Sequence, residues 1–302
     1  MSYIEHFGLD REPFSNAPDA RFYFNSQQHS EALLRLMHAV DSNKGLALLI
    51  GGVGTGKTTL ARRMLDNLPE DRYESSLLVM VHSGITTEWI LTRIAMQLGV
   101  ESPEHDRLPL LKQLYERLLQ IEKSGRRAVV LIDEAQMLQS RELMEEFRGL
   151  LNLEIPGKKL LNIVFFGLPE VEDCLRLDEP LAQRVAVRYQ LKSLSADITE
   201  SYIKHRLQVA GARRMPFSVE TMGLIHSFTG GVPRLINTVC DNCLFEAFLR
   251  KHEKVDATIV HSVVGDLGLF RQPQSVMPAD QETGTEDLDE IESMLDRLEQ
   301  KF

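Results

Sequence analysis

Residues 46–58 read Leu-Ala-Leu-Leu-Ile-Gly-Gly-Val-Gly-Thr-Gly-Lys-Thr, a strand-length apolar run that passes directly into a glycine-rich loop. Gly51, Gly56, Lys57 and Thr58 fill every fixed position of the pattern G-x-x-x-x-G-K-[ST], in the strand–loop–helix order that the pattern requires. Gly52 and Gly54 loosen the loop further, so that backbone N–H groups can curl around phosphate oxygens. A helix beginning near Lys57 would point its positive end at the same phosphates. Lys57 is expected to reach the β- and γ-phosphates, and the Thr58 hydroxyl to ligate Mg²⁺. The stretch Gly51, Gly52, Val53, Gly54, Thr55, Gly56, Lys57, Thr58 and Thr59 therefore implies a site for ATP with Mg²⁺.

About 75 residues further on, Ala128-Val129-Val130-Leu131-Ile132 ends in Asp133-Glu134-Ala135-Gln136. An apolar run closed by two acids puts both carboxylates at the carboxyl edge of a parallel sheet, where open α/β sheets bind ligands. Asp133 is expected to hold Mg²⁺ through a water, and Glu134 to polarise the attacking water.

Strand-length apolar runs alternate with helix-length amphipathic segments as far as about residue 192. Strands are expected at Leu46–Ile50, Leu77–Val81, Ala128–Ile132, Leu161–Phe166 and Val185–Leu191. Between them, helices are expected at Lys57–Asn67, Thr87–Leu98, Leu108–Lys123, Arg141–Leu153 and Pro169–Leu175. Such alternation implies a parallel sheet with helices on both faces. From Ala196 the pattern is helical only, with candidates at Asp197–Ala210, Ser218–Phe228, Pro233–Lys251 and Asp256–Leu267. Ser218 and Asp256 suit N-caps, and Pro233 suits a first turn. The expected division is 1–194 for the α/β domain and 195–268 for a helical domain, then an acidic linker at 269–285 and a terminal helix at 286–302. In that last segment Leu288, Ile291, Leu295, Leu298 and Phe302 alternate spacings of three and four, a heptad seam suited either to a partner or to packing on its own body.

Composition narrows the function classes. The formal net charge is -10, and residues 271–302 hold nine acids against three bases. That balance argues against a generic nucleic-acid binder, although a local patch such as Arg213-Arg214 remains compatible with one. No apolar run approaches the ~18 residues that a membrane-spanning helix needs. The opening Met-Ser-Tyr-Ile-Glu-His lacks a secretion signal, and three cysteines make no disulfide framework, so a cytoplasmic location is expected. Cys240 and Cys243 form a lone C-x-x-C in a helical stretch and read as buried small residues rather than a zinc site.

Hydrolysis also needs positive charge on the γ-phosphate as the transition state forms. Two arginines stand at suitable points. Arg184 precedes the fifth strand in Leu181-Ala182-Gln183-Arg184, and Arg234 opens a helix after Gly230-Gly231-Val232-Pro233. A surface ion pair is the alternative role for each.

Taken together, these motifs resemble the AAA+ class of P-loop ATPases and, more narrowly, the ExeA/GspA-like ATPases associated with type II secretion. Tyr3-Ile4-Glu5-His6-Phe7-Gly8-Leu9, Glu12-Pro13-Phe14, Pro18-Asp19-Ala20-Arg21-Phe22-Tyr23 and Ser26-Gln27-Gln28-His29-Ser30-Glu31-Ala32 match that family's opening. Asp133-Glu134-Ala135-Gln136, Asn152-Leu153-Glu154, Leu181–Arg184 and Gly230–Asn237 continue the match over roughly residues 1–268. The resemblance implies an α/β fold with a P-loop NTPase parallel sheet of order 5-1-4-3-2 sandwiched by helices, capped by a C-terminal helical lid. It makes Arg184 a finger supplied in trans to a sister subunit of a ring or dimer, and Arg234 a second sensor. It also brings the N-terminal segment near the adenine, with Phe7, Phe14 and Phe22 either as anchors there or packed beneath the sheet.

Two departures from the family follow. Its fourth strand normally ends Gly-Gln-Pro-Glu, whereas this chain has Gly167-Leu168-Pro169-Glu170, so the obvious first sensor is a leucine, and either turnover is slow or another group senses the γ-phosphate. Fuller members continue into a transmembrane helix and a peptidoglycan-binding domain that this sequence lacks. An envelope role is therefore expected to use a secretion-machinery partner, through the acidic tail and peripherally at the inner membrane. The leading expectation is an ATP-hydrolysing assembly or regulatory factor of a secretion, pilus or export system. The alternatives are a DNA-linked regulator resembling the TniB/TnsC transposition ATPases, and a nucleotide-gated scaffold with little turnover.

Overall fold

Successive residues along each central strand serve opposite faces of the sheet, and both faces are apolar. A computed structural model describes residues 2–269, which make one compact unit. The expected linker at 269–285 lies outside the described residues apart from Leu269, and the expected heptad helix at 286–302 lies wholly outside them.

Five strands form the sheet: β1 (Leu46–Gly51), β2 (Tyr73–Val79), β3 (Arg127–Asp133), β4 (Leu161–Gly167) and β5 (Val185–Leu191). All neighbours run parallel, in the order β2-β3-β4-β1-β5, which read from the other edge is 5-1-4-3-2 as expected. A two-residue-per-strand hairpin, Glu154–Ile155 with Lys158–Lys159, precedes β4. In chain order the helices are α1 (Tyr3–His6), α2 (Gln27–Asp41), α3 (Lys57–Asp66), α4 (Thr87–Gln97), α5 (Arg107–Lys123) and α6 (Arg141–Leu150). They continue with α7 (Val171–Arg176), α8 (Glu179–Ala182), α9 (Ala196–Val209), α10 (Val219–Thr229), α11 (Pro233–Leu249) and α12 (Ala257–Asp266).

The alternation assigns the layers. Ala47, Leu49, Val129, Leu131, Val164 and Phe166 pack with Ala32 and Leu36 of α2 and Leu60 and Met64 of α3. Their strand neighbours Leu48, Ile50, Val130, Ile132, Ile163 and Phe165 pack on the other face with α4, α5 and α6 through residues such as Ile94, Leu114 and Phe147. Each fully buried aliphatic or aromatic side chain contributes roughly 1.5–3 kcal/mol, so the sheet core dominates the stabilisation.

Where the elements depart from expectation, the cause is local. β2 begins at Tyr73, four residues earlier than its apolar run, because Glu74, Ser75 and Ser76 extend an edge strand. Glu74 meets Arg117 at 3.2 Å and Arg126 at 2.7 Å, which satisfies its charge beside the sheet. Helix α6 stops at Leu150, since the chain must turn into the hairpin. Ser218 and Asp256 do cap α10 and α12, accepting from the N–H groups of Thr221 and Ile259. No helix among the described residues is long and apolar enough to cross a membrane.

Helices α9 to α12 enclose their own core, in which Cys240 and Cys243 are buried with Ile203, Leu207, Ile236 and Leu244. The N-terminal segment belongs to this core and not to the underside of the sheet. Phe14 and Phe22 are buried in it, and Phe7 packs against it. Arg206 of α9 ties the segment down: Nε donates to the Pro13 carbonyl at 2.5 Å, Nη2 to the Ser15 carbonyl at 2.9 Å and Nη1 to the Tyr202 hydroxyl at 3.1 Å. Its guanidinium also lies 4.6 Å from the centre of the Phe22 ring. Tyr3 reaches Asp241 at 2.8 Å, and His6 meets the His252 carbonyl at 2.9 Å.

Between sheet and lid the chain passes Leu194, whose N–H donates to the Gly231 carbonyl at 2.8 Å. Gly231 has φ +72°, and a Cβ there would lie 1.9 Å from the Leu194 carbonyl oxygen, so only glycine fits this junction. Arg206→Ala should lower unfolding stability by about 3 kcal/mol, because the buried Pro13 carbonyl and the partly buried Ser15 carbonyl lose a charged donor. Denaturant unfolding checks the loss, and limited proteolysis should show earlier cleavage within residues 10–25.

Candidate nucleotide site

Asp133 is fully buried at the end of β3, and this burial organises the chemistry around it. Its Oδ1 accepts the Glu134 N–H at 3.0 Å, while Oδ2 has no hydrogen-bond partner. Burial pushes the carboxyl's pKa up, opposed by the Thr58 hydroxyl, the Glu134 N–H and Lys57. A buried carboxylate oxygen left unpaired beside a threonine hydroxyl is the donor set that a hydrated Mg²⁺ would complete, so the residues present fit that ion.

Lys57, in the first turn of α3, is also buried. Its Nζ donates to the carbonyls of Gly51 at 2.9 Å and Gly52 at 3.0 Å, folded back on its own loop. Burial lowers its pKa, and the carboxylates of Glu134 and Asp133 oppose that shift. Residues from Val53 to Thr59 line a cleft of about 260 Å³, and Val53 itself is exposed at its rim. At the bottom of the loop the Thr55 hydroxyl donates to the Gly52 carbonyl at 2.9 Å.

The opposite wall comes from the lid. Arg234, in the first turn of α11, lines the cleft, and its N–H donates to the Gly54 carbonyl at 3.3 Å. Gly54 has φ +75°, and a Cβ on it would lie 2.8 Å from the Arg234 Cβ, so the lid sits directly on the phosphate loop. The third wall is the N-terminal segment, with Pro18, Phe22, Tyr23 and Phe24 beside Tyr202 and Asn237 of the lid. Of the three phenylalanines expected near the base, only Phe22 lines the cleft.

Arg184 lies elsewhere. Its Nη1 donates to Asn152 Oδ1 at 2.6 Å and to the Arg148 carbonyl at 3.4 Å, and it lines no part of this chain's cleft. Glu134, Leu168 and Arg234 do line it, together with the phosphate loop. Glu134 has a left-handed backbone, φ +56° and ψ +38°, which costs a non-glycine residue energy and turns the chain sharply after Asp133.

Two residues of the site carried no role in the sequence reading. His29, buried on α2, pairs its Nδ1 with Ser26 Oγ at 2.7 Å and stands against the phosphate loop, where a Cβ on Gly56 would lie 3.2 Å from its Nε2. Burial lowers its pKa, against a hydrogen bond with the Thr55 backbone. Gln136 is buried three residues after Asp133 and binds Glu134. The only sequence signal for either was membership of a family-like stretch.

Residues 40–175 match the family model described as an AAA domain. The chain is 38% identical over 270 residues to general secretion pathway protein A of Aeromonas hydrophila, a match covering 88% of this chain and 47% of that protein. It thus spans about half the length of the curated relative it matches. In fold it is similar to the ORC2 protein of Aeropyrum pernix, with TM-score 0.64, 17% identity, and coverage of 93% of this chain and 74% of that one. It is similar as well to Cdc6p of Pyrobaculum aerophilum, with TM-score 0.67, 17% identity, and coverage of 85% and 71%. The phosphate loop and the Asp133-Glu134 strand end both fall inside that AAA domain, and over 88% of its length the chain is similar to general secretion pathway protein A.

Proposed function

We propose that the protein hydrolyses ATP with Mg²⁺ and uses the cycle to regulate or assemble a secretion machine. The observation that carries this reading is the convergence of Lys57, Thr58, Glu134 and Arg234 on one cleft, with the unpartnered Asp133 Oδ2 behind them. Mg²⁺ held by Thr58 and Asp133 would supply charge neutralisation across the β- and γ-phosphates. The chain's own groups do the rest. Backbone N–H groups of Gly52 to Thr58 bind phosphate oxygens, and Lys57 leaves the Gly51 and Gly52 carbonyls to meet them. Glu134 orients a water and takes its proton as the water oxygen attacks the γ-phosphorus. The bond to the β–γ bridging oxygen breaks, and ADP and phosphate leave.

Arg234 enters the cleft from the lid, so γ-phosphate contact would couple turnover to lid position. Arg184 stands away from its own cleft, which favours the role of a finger given to a neighbouring subunit. The relationship to general secretion pathway protein A supports the secretion assignment. The acidic segment beyond the lid is our proposed link to the partner, which would hold the protein at the cytoplasmic side of the inner membrane.

Lys57→Ala should abolish binding of a fluorescent ATP analogue. Glu134→Gln should keep binding and lower turnover by about 100-fold or more. Normal hydrolysis in either variant would refute the site. Arg184→Ala should bind ATP normally and turn it over poorly, and mixing it with Lys57→Ala should restore part of the wild-type rate, since one subunit then supplies the site and the other the finger. No recovery on mixing would remove the trans role.

A further inference from the structure

Gln136 is 6% exposed, and both ends of its amide are engaged. Its Oε1 accepts the Leu168 N–H at 3.0 Å, and its Nε2 donates to Glu134 Oε2 at 2.6 Å. These ends cannot be exchanged: a backbone N–H only donates and an ionised carboxylate only accepts, so the amide has one workable orientation. The side chain is also wedged in place. A Cβ on Gly167 would lie 2.9 Å from the Gln136 Oε1, and the Gln136 carbonyl accepts from Cys174 Sγ at 3.7 Å.

The other half of the observation is Leu168. It lines the cleft at the end of β4 with a side chain that can bind neither water nor phosphate. Its backbone N–H, however, is tied through Gln136 to the carboxylate expected to activate water. We infer that Gln136 is a positioning residue for Glu134, a strut that fixes the carboxylate against the end of β4. The anchor at position 168 is its backbone N–H, which is independent of the leucine side chain. The functional consequence rests on the ATPase reading above, whereas the strut itself does not.

Physical reasons make this more than packing. Glu134 is itself left-handed and has three side-chain torsions out to its carboxylate oxygens, so their direction is not set by the backbone alone. The bond at Oε2 removes that freedom. It leaves Oε1 without a protein partner among the described residues, available to a water in the cleft. A group held by a buried amide, itself held by a strand end, meets the requirement that a catalytic base be fixed by locked neighbours. Any shift of β4 at Leu168 would then move the Glu134 carboxylate with it.

Gln136→Met and Gln136→Glu test the strut at nearly constant side-chain length. Methionine keeps the volume and loses both bonds. Glutamate can still accept from Leu168 but faces Glu134 with a second carboxylate and no donor. Each should lower kcat by about tenfold or more, with KM and the affinity for a fluorescent ATP analogue within twofold of wild type. A kcat within twofold of wild type in either variant, or a faster rate, overturns the assignment. A thermal-melting cycle of Gln136→Met, Glu134→Ala and the double variant, without nucleotide, reads the contact independently of turnover. The double variant should melt higher than the summed single losses predict, by on the order of 2 °C, and additive losses overturn the strut. Wild-type protein without ATP turnover would sink the ATPase reading, and with it the catalytic role, while the melting cycle still decides the contact.

Discussion

A parallel sheet covered by helices on both faces has no surface left for charge except the ends of its strands. In this chain β1 and β4 are buried along their whole length and β3 from Ala128 onward, so the polar groups they carry, Arg127, Asp133 and Asn162, lie at or next to a strand end. Because the strands are parallel, their carboxyl ends fall on one edge. Gly51, Asp133 and Gly167 are those ends, and they bring together the phosphate loop, the acidic pair and the Leu168 turn. The site is therefore a consequence of the sheet's burial pattern. Consecutive acids at the end of β3 take opposite environments for the same reason: Asp133 completes the strand and is fully buried, while Glu134 has left it through a left-handed turn and reaches the cleft.

The lid is joined to this edge by backbone more than by side chains. The Gly231 carbonyl takes the Leu194 N–H, and the Arg234 N–H reaches the Gly54 carbonyl. A glycine at 231 and a glycine at 54 are what allow two main chains to approach so closely. The N-terminal segment then closes the third side, held by the buried Arg206 and by burial of Phe14 and Phe22 in the lid core. Since segment and lid share one core, a lid movement would carry Phe22 and Phe24 along with Arg234, while Tyr23 stays against His29 and Arg63 of α2 and α3. A base contact from Phe22 or Phe24 and a γ-phosphate contact from Arg234 would thus be mechanically linked.

Much of this was legible from sequence where one physical rule dominated. Runs such as Val129–Ile132 and Ile163–Phe166 are apolar at every position, which only a strand buried on both faces explains at that length. The phosphate loop and the Asp133-Glu134 pair were legible because their chemistry tolerates few residue types. β2 starts ahead of its apolar run because an edge strand bears Glu74 and two serines, which blur its pattern. The packing of the N-terminal aromatics was not legible, since burial against a lid and burial beneath a sheet demand the same residues. Nor was Gln136: a polar residue after a strand reads as a loop residue until the distance to Leu168, 32 positions away, is known.

Leu168 shows why a missing functional group in a motif is weak grounds for a missing function. Sensing and positioning need a hydrogen-bonding group at a given point in space, and the main chain supplies one at every residue except proline. At the end of β4 the N–H of Leu168 has no further strand partner to bind, so it is free to be used by a side chain from the neighbouring strand's turn. Gln136 has the length to span from that N–H to Glu134, and its amide has the polarity to satisfy both. The leucine side chain then leaves the tie to Glu134 intact, because that tie runs through the backbone. What the substitution removes is a direct polar contact from position 168 to ligand, and Arg234 is a cationic group that the lid brings to the same cleft as Lys57 of the phosphate loop. Nucleotide sensing in this chain would therefore fall more heavily on the lid than on the strand end.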